Sequence, residues 1–483
     1  MPPEMAVSIA PGDDAASEEL KSILVKATGN FRLSGKNSPV LEKVRNRLRQ
    51  NGLSSLNDYL QLLKRGDVGR HELDALIAEL TVGETFFFRH PDHFDALRDH
   101  VLPACLARNA ASRQLRIWSA GCSNGAEPYS IAIMVHSILG SRLKDWNVTI
   151  VGTDINRAFL ADAEAASYSA WTLRGVEQER LPAYFRRQGQ QWILQEKYKE
   201  NVHFVYHNII NEEMPSLHKN IFGFDIVFCR NVMIYFDDAV NRLLVERINR
   251  VMVDDGWLFV GSTDFNPHLD ATFTAVKASN AILYRKKAPV VAEVAAEIVV
   301  PERPPAPRRV QPRLPLNGER KILSVRERLG AQRARRENVH RKPATPPAAG
   351  VAAIQVIVDL ANRGEWQEAA EQCKRILAAD ASNAPAYYYA ALIAQSTGRH
   401  AEAEDALKRA IYLDRGFALA HYHLALARKD AHDIPGCIRS LRNALDALAG
   451  VADDKPVSPC EQITAHDLRD LTAQQLGLLG ETA

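Results

Sequence analysis

An α/β fold flanked by two helical regions is what the sequence predicts, and three patterns carry that reading. Residues 115–286 alternate continuous apolar strands with helical segments, as in a mostly parallel sheet covered on both faces. Residues 17–82 hold apolar positions at helical spacing. Beyond residue 350, small and apolar residues recur every 34 positions. A chain of 483 residues exceeds a single core, so two or three domains are expected.

The N-terminal helices follow from Leu20, Ile23 and Leu24, and then from Leu41, Val44 and Leu48, with Gly29 and Gly52 punctuating the ends. LRIWSAG from residue 115, a helix over Glu127–Leu139, and VTIVGTD up to residue 154 read as strand, crossover helix and strand. FDIVFC (224–229) is another continuous apolar strand, followed by a helix over Ala239–Met252. WLFVGS (257–262) and ILYRK (282–286) supply closing strands.

Residues 288–350 contain ten prolines and read as a linker, within which ILSVRERLGAQRARRE has the composition of a transient helix. The repeat lies past it. Gly364 and Gly398, Ala369 and Ala403, and Asp380 and Asp414 each stand 34 apart, and Cys373, Leu407 and Leu441 extend the step. Paired helices of this period resemble tetratricopeptide repeats, with the last copy degenerate at Ile434 and Pro435. About three helix pairs would form a concave surface able to bind a peptide or a helix, and the long linker would let them range widely around the rest of the chain. From residue 451 a polar tail with one short helix is expected.

Composition narrows the class. Apolar residues make up 46% and charged residues 24%, ordinary for a globular protein. Neither a long apolar span nor a basic, apolar N-terminal leader is present, so a membrane helix and a secretory signal are not expected. Six cysteines lie far apart without a CxxC pair, which argues against a disulfide framework and a zinc site and suits a reducing compartment. The net charge of +2 hides an asymmetry: residues 303–342 hold 13 Lys or Arg against 3 acids, so the remainder is acidic.

IWSAGCSNG (117–125) ends a strand in small residues and opens onto a helix. Gly121 and Gly125 allow close approach of a ligand, and the helix N-terminus adds partial positive charge. The spacing is not GxGxxG, and the next strand-end acid, Asp154, lies 29 residues past Gly125, which argues against a nicotinamide dinucleotide. A strand-end carboxylate suits an adenosine ribose, because it accepts hydrogen bonds from both hydroxyls; the same Asp154 can instead cap the following helix. Glu127 either meets the amino group of a methionine moiety or complements the helix dipole.

Four segments in order, TVGETFFFRHPDHF (81–94), IWSAGCSNGAEPYSIAI (117–133), GTDIN (152–156) and FDIVFCRNVMIYFD (224–237), resemble the chemotaxis receptor (CheR-type) methyltransferases over roughly residues 17–287. The resemblance implies an all-helical domain at 17–90 and, at 91–287, a Rossmann-like S-adenosylmethionine methyltransferase domain with a small β insertion. The linker at 288–350, the tetratricopeptide repeats at 351–449 and the tail at 450–483 then follow. It further implies that Thr85 and Arg89 reach the cofactor from the interdomain segment, with Arg89 close to the transferred methyl. Glu127 and Asp154 would hold the methionine amino group or the ribose, Asn208 and Ile209 would border the adenine, Arg230 and Asn231 would line the carboxylate end, and Tyr235 would sit near the methyl. Gly83 departs from the asparagine usual in the family. The insertion at 186–204 holds the single glycine Gly189, like members that do not dock a receptor C-terminal pentapeptide.

The implied reaction esterifies glutamate side chains of a methyl-accepting chemoreceptor-type protein. A glutamate with a pKa near ~4.3 is already ionised at neutral pH and needs no general base. Catalysis then rests on proximity and exclusion of water, with Arg89 or Arg230 steering the carboxylate and Tyr235 orienting an oxygen or contacting the methyl. Tyr235 can instead be a half-buried aromatic of its turn. Lys43, Arg45, Arg47 and Arg49 on LEKVRNRLRQNG form either a solvated face or a dock for an acidic receptor helix. A nucleic-acid methyltransferase would use an [N/D]PP[Y/F] loop where this chain has RNVMIY, and a non-catalytic repeat scaffold has only Gly83 in its favour. The expected partners are the receptor and an unidentified protein on the repeats, without nucleic acid, membrane insertion or metal. The expected location is the cytoplasm, with recruitment to membrane receptor clusters.

Overall fold

The structure, a computed structural model, describes residues 14–30, 40–264, 266–287, 348–362, 365–460 and 463–481. Almost all of the basic, proline-rich linker, its transient helix and Gly364 of the repeat lie outside the described residues.

Four helices open the chain: α1 (Asp14–Thr28), α2 (Val40–Gln50), α3 (Leu56–Leu63) and α4 (Gly66–Leu80). Leu20, Leu24, Val44, Leu48, Leu60 and Leu76 meet in one core, as their helical spacing requires. Ser55 starts α3 by accepting a hydrogen bond from the Asp58 N–H at 3.1 Å.

The sheet region follows, as α5 (Pro91–Ala96), α6 (Leu102–Arg108), β1 (Gln114–Ala120), α7 (Ala126–Leu139), β2 (Asn147–Asp154), α8 (Arg157–Ala165), β3 (Ser167–Tyr168) and α9 (Leu181–Tyr184). It continues through β4 (Phe185–Gln188), β5 (Gln191–Leu194), β6 (Val202–Tyr206), β7 (Phe224–Cys229), α10 (Asp238–Val251), β8 (Met252–Val260), α11 (Leu269–Thr272), β9 (Phe273–Ala278) and β10 (Ala281–Lys286). Seven strands run in the order β6-β2-β1-β7-β8-β10-β9, and β10 alone runs against the direction of the rest. Strand alternation splits the core by face: Leu115 and Ile117 pack with α7, whereas Trp118 and Ala120 pack with α10. Strand β9, which closes the edge, was not expected from the sequence; its exposed Thr274, Ala275 and Lys277 dilute the apolar signal. The insertion is a three-stranded antiparallel sheet, β3-β5-β4, in which Gln188 pairs with Gln191 around Gly189 at φ +61°.

The C-terminal region is α12 (Ala348–Asn362), α13 (Trp366–Ala379), α14 (Ala384–Ser396), α15 (His400–Leu413), α16 (Ala418–Asp430), α17 (Ile434–Ala447) and α18 (Ala465–Leu478). The periodic residues Ala369, Ala403, Cys373, Leu407 and Leu441 are all buried. Asp380 and Asp414 end α13 and α15 and accept N–H groups two residues on, from Ser382 at 3.0 Å and Gly416 at 2.9 Å. These are tetratricopeptide-like helix pairs.

Two expectations about this region are corrected. The repeats do not range freely: Leu217 and Phe222 of the sheet region belong to their core, and Phe222 stacks edge-on against Trp366 at 4.9 Å. Asn147 at the start of β2 donates to Ser396 O at 3.3 Å, and Lys429 pairs with Glu164 at 3.8 Å. Helices α14 and α16 are buried on nearly every side, Ala418–Ala425 without interruption, so their faces are not an open concave surface. The tail is also structured. Thr464 and Asp467 form a capping box that starts α18, which lies against α4 through His466 and His71 (ring centres 5.9 Å apart). Its Asp470 stands 3.9 Å from Arg157 of α8. No helix of the described residues is long and apolar enough to cross a membrane.

Candidate functional site

Strand order reverses between β1 and β7, so a crevice opens beyond the C-terminal ends of these strands. Loops from β1, β2, β6 and β7 converge there with the segment 81–90 that joins the helical region to the sheet. Gly121 adopts φ +71°, and a β-carbon on it would sit 2.6 Å from Val232 Cγ2. Gly125 adopts φ +82°, with Ala163 and Phe204 closing on the place of a β-carbon at 2.8 and 2.9 Å. Both positions therefore require glycine.

Asp154 ends β2 and is 9% exposed. It does not cap α8: Asn156 does, accepting from Ala158 N at 2.9 Å and Phe159 N at 3.3 Å. The Asp154 carboxylate instead accepts from Ser123 N at 2.9 Å and Asn156 N at 2.8 Å, tying the β1 loop to the β2 loop. Burial pushes its pKa upward against these hydrogen bonds. Backbone N–H groups, that of Ile155 among them, use part of its acceptor capacity, and the two oxygens together offer about four lone-pair sites.

Glu127, in the first turn of α7, accepts from Ser119 Oγ at 2.7 Å and lies 3.1 Å from Arg230 Nη1. Arg230 Nη2 donates to Arg89 O at 2.5 Å. The Arg230 side chain is buried, and burial lowers its pKa despite Glu127. Its Nε and Nη1 lack an acceptor of good hydrogen-bond geometry among the described residues. A buried guanidinium short of acceptors is costly unless a ligand completes it, and an amino-acid carboxylate suits it. The residues present therefore fit S-adenosylmethionine at both its methionine and its nucleoside ends.

Arg89 sits between Phe88 at φ +55° and His90 at φ +63°, left-handed conformations that are strained for side chains of this size. Its Nη1 donates to Glu84 O at 2.7 Å. Thr85 is half-buried in the same segment. A β-carbon at Gly83 would lie 2.3 Å from Phe159 Cζ, so Phe159 fills the room an asparagine side chain would need.

Other expected residues are engaged by the protein itself. Asn208 donates to Ala27 O of α1 at 2.7 Å and accepts from Ile210 N and Asn211 N. Ile209 is buried, and its carbonyl accepts from Arg247 at 3.0 Å. Asn231 is left-handed at φ +59°, and Tyr235 is half-buried on the turn that follows. On α2, Arg47 turns inward to Glu72 at 2.5 Å, and Tyr59 also donates to Glu72 at 2.6 Å. Arg45 and Arg49 remain exposed, and Lys43 is half-exposed.

Sequence reasoning missed Asp264. Its carboxylate accepts from Asn231 N, from Gly261 N at 3.2 Å and from Ile234 N at 3.3 Å, and so shapes the turn carrying Arg230, Asn231 and Tyr235. The signal was available, because Asp264 follows β8 as Asp154 closes β2. His93 was also missed. Burial, with Arg230 beside it, lowers its pKa to about 3, so it stands neutral in the site.

Residues 17–81 match the CheR methyltransferase all-alpha domain, and residues 83–282 match the CheR methyltransferase SAM binding domain. The chain is 33% identical to chemotaxis protein methyltransferase 1 of Pseudomonas aeruginosa over 57% of its own length and 98% of the relative's. It is 32% identical to the chemotaxis protein methyltransferase of Escherichia coli, over 54% and 88% of the two chains. It is 30% identical to the probable biofilm formation methyltransferase WspC of Pseudomonas putida, over 76% and 83%.

Proposed function

Because the chain belongs to the CheR methyltransferase family, and is thus an S-adenosylmethionine-dependent methyltransferase, we propose that it esterifies glutamate side chains of a methyl-accepting chemoreceptor-type protein. The observation that carries the site assignment is Arg230, a buried cation short of acceptors, joined to Glu127 and to the Arg89 backbone at the switch point of the sheet. When bound, the cofactor supplies a methyl group on a sulfonium. Arg230 and Glu127 hold its carboxylate and amino group, with Asn231 beside them, and Asp154 accepts from its ribose hydroxyls. Gly121 leaves room for close approach. The side chain of Asn208 is committed to α1, so its backbone and Ile209 border the adenine.

Thr85 closes the site from the interdomain segment. Arg89 steers the ionised receptor glutamate into line, and Tyr235 orients one of its oxygens. Neutral His93 competes for no negative charge. The nucleophile needs no base, and the gain comes from orientation in a site closed to water.

Lys43, Arg45 and Arg49 face an acidic receptor surface at longer range, whereas Arg47 belongs to the helical core. The two-residue turn at Gly189 supports recruitment without a receptor pentapeptide. A cytoplasmic location with recruitment to receptor clusters belongs to the same proposal. The match to a biofilm formation methyltransferase over 76% of the chain extends past the catalytic region, and it favours a biofilm-type signalling output. An outside partner of the repeats would use the open groove lined by Lys408, Tyr412, Arg415 and His421, since the rest of α14 and α16 is largely covered. The experiment is incubation with radiolabelled cofactor and a receptor cytoplasmic fragment. Label released by mild base is the expected carboxyl methyl ester; base-stable label would overturn the proposal.

A further inference from the structure

An exposed aromatic and cationic stack adjoins the proposed transfer site and has no part in holding the cofactor. Trp171, in the loop after β3, is 66% exposed. The Arg174 guanidinium lies 4.2 Å from its ring centre and 3.9 Å from that of Phe86. Arg174 also donates to Trp171 O at 2.8 Å and pairs with Glu84 at 2.6 Å. The loop is fastened to the interdomain segment: Phe87 N donates to Thr172 O at 3.0 Å, and a β-carbon at Gly175 would lie 2.1 Å from Phe87 O. Glu84 O in turn receives Arg89 Nη1, and Arg89 O receives Arg230 Nη2. A continuous set of contacts thus runs from the exposed indole to the buried ion pair at the strand ends. Val82, 69% exposed, widens the apolar surface on the same segment.

We propose that Trp171, held on Arg174 and Phe86, is a docking platform for the substrate polypeptide beside its accepting glutamate. This inference rests on the receptor-methylation reading above. A largely exposed indole contributes little to folding, yet a rigidly seated tryptophan is the side chain that anchors protein partners most effectively, because little entropy is lost on binding. The matching substrate segment carries an apolar residue to cover the indole. It also carries a second carboxylate next to the methylated one, to which Arg174 can donate in place of Glu84. The platform selects a polypeptide with clustered acids, since a free small carboxylate would span only Arg89.

The test measures methylation of a receptor cytoplasmic fragment by full-length wild type, Trp171→Ala and Trp171→Phe, with S-adenosylhomocysteine affinity measured on each. The platform predicts that Trp171→Ala raises KM for receptor about tenfold or more. It leaves kcat and S-adenosylhomocysteine affinity near wild type, and Trp171→Phe recovers most of the loss. An unchanged KM in Trp171→Ala overturns the platform while wild-type methylation leaves the function standing. A parallel fall in S-adenosylhomocysteine affinity makes the residue structural and also overturns it. If wild type forms no base-labile ester on the receptor, the functional reading falls, and the platform with it.

Discussion

Two helical regions join the same sheet, and they do so with different chemistry. The N-terminal region reaches the strand ends through directed hydrogen bonds. Asn208 and Asn211 donate to Ala27 O at 2.7 and 2.9 Å, and Asn156 donates to Thr81 Oγ1 at 2.8 Å. The repeats meet the opposite strand ends, where Phe222 precedes β7 and Asn147 begins β2, around the apolar contact of Phe222 and Leu217, with Lys429–Glu164 at its margin and α18 beyond the repeats reaching α4 and α8. Hydrogen bonds fix position and orientation, which a site for in-line transfer requires. Apolar burial stabilises without fixing direction, which is enough for a support. The N-terminal region therefore adjoins the strand ends that carry Asp154 and Arg230, and the repeats abut the opposite ends.

The largest effect expected from this contrast comes from the turn after β7. Asp264→Ala removes the acceptor of several backbone N–H groups and lets Arg230, Asn231 and Tyr235 drift. Turnover should fall about 100-fold, the cost of a small misplacement near the chemistry, while the melting temperature of the repeats is little changed. Turnover near wild type would show that the turn holds itself.

Cutting the chain after residue 287 should act on stability more than on chemistry. Exposing Phe222 and Leu217 costs a few kcal/mol, or on the order of 5–10 °C in melting temperature for a domain of this size. Methyl transfer per folded molecule should stay within a few-fold of full length. An unchanged melting temperature would mean that the apolar seam contributes nothing.

A smaller effect is expected with pH. His93 ionises near ~6.5 when unfolded but is held to about 3 in the fold. The unfolded chain therefore gains a proton first, and stability present above pH ~6.5 is lost as pH falls towards 3. His93→Gln should flatten the acid decline of the catalytic region's melting temperature between pH 7 and 5. An unaltered slope would assign the decline to other groups.

Much of this contrast was legible in the sequence, and the parts that were not have physical reasons. Continuous apolar runs such as FDIVFC identified buried parallel strands, and the 34-residue period identified residues that are now seen in the core of the repeats. The tight loop after β1 was legible because Gly121 and Gly125 occupy conformations that few other residues adopt. The place where the repeats join the sheet was not legible, since Leu217, Phe222 and Trp366 look like any apolar residues until the fold brings them together. The direction of Arg47 was hidden in the same way, because its partner Glu72 lies on another helix. Helix α18 is the one short helix expected in the tail, whereas Asp264 was legible but unread. Thr464-x-x-Asp467 is a capping-box signature, and the strand-end argument that picked out Asp154 applies as well to Asp264.

The most direct measurement compares methyl transfer to receptor at saturating cofactor in two proteins, full-length Arg89→Ala and the chain ending at residue 287, each with its S-adenosylhomocysteine affinity. Arg89 belongs to the N-terminal segment that enters the site, so its loss should slow transfer about tenfold or more with affinity little changed. The shortened chain should transfer within a few-fold of wild type. A fast Arg89→Ala protein together with a slow shortened chain would contradict the account, because the repeats and not the interdomain segment would then carry the chemistry.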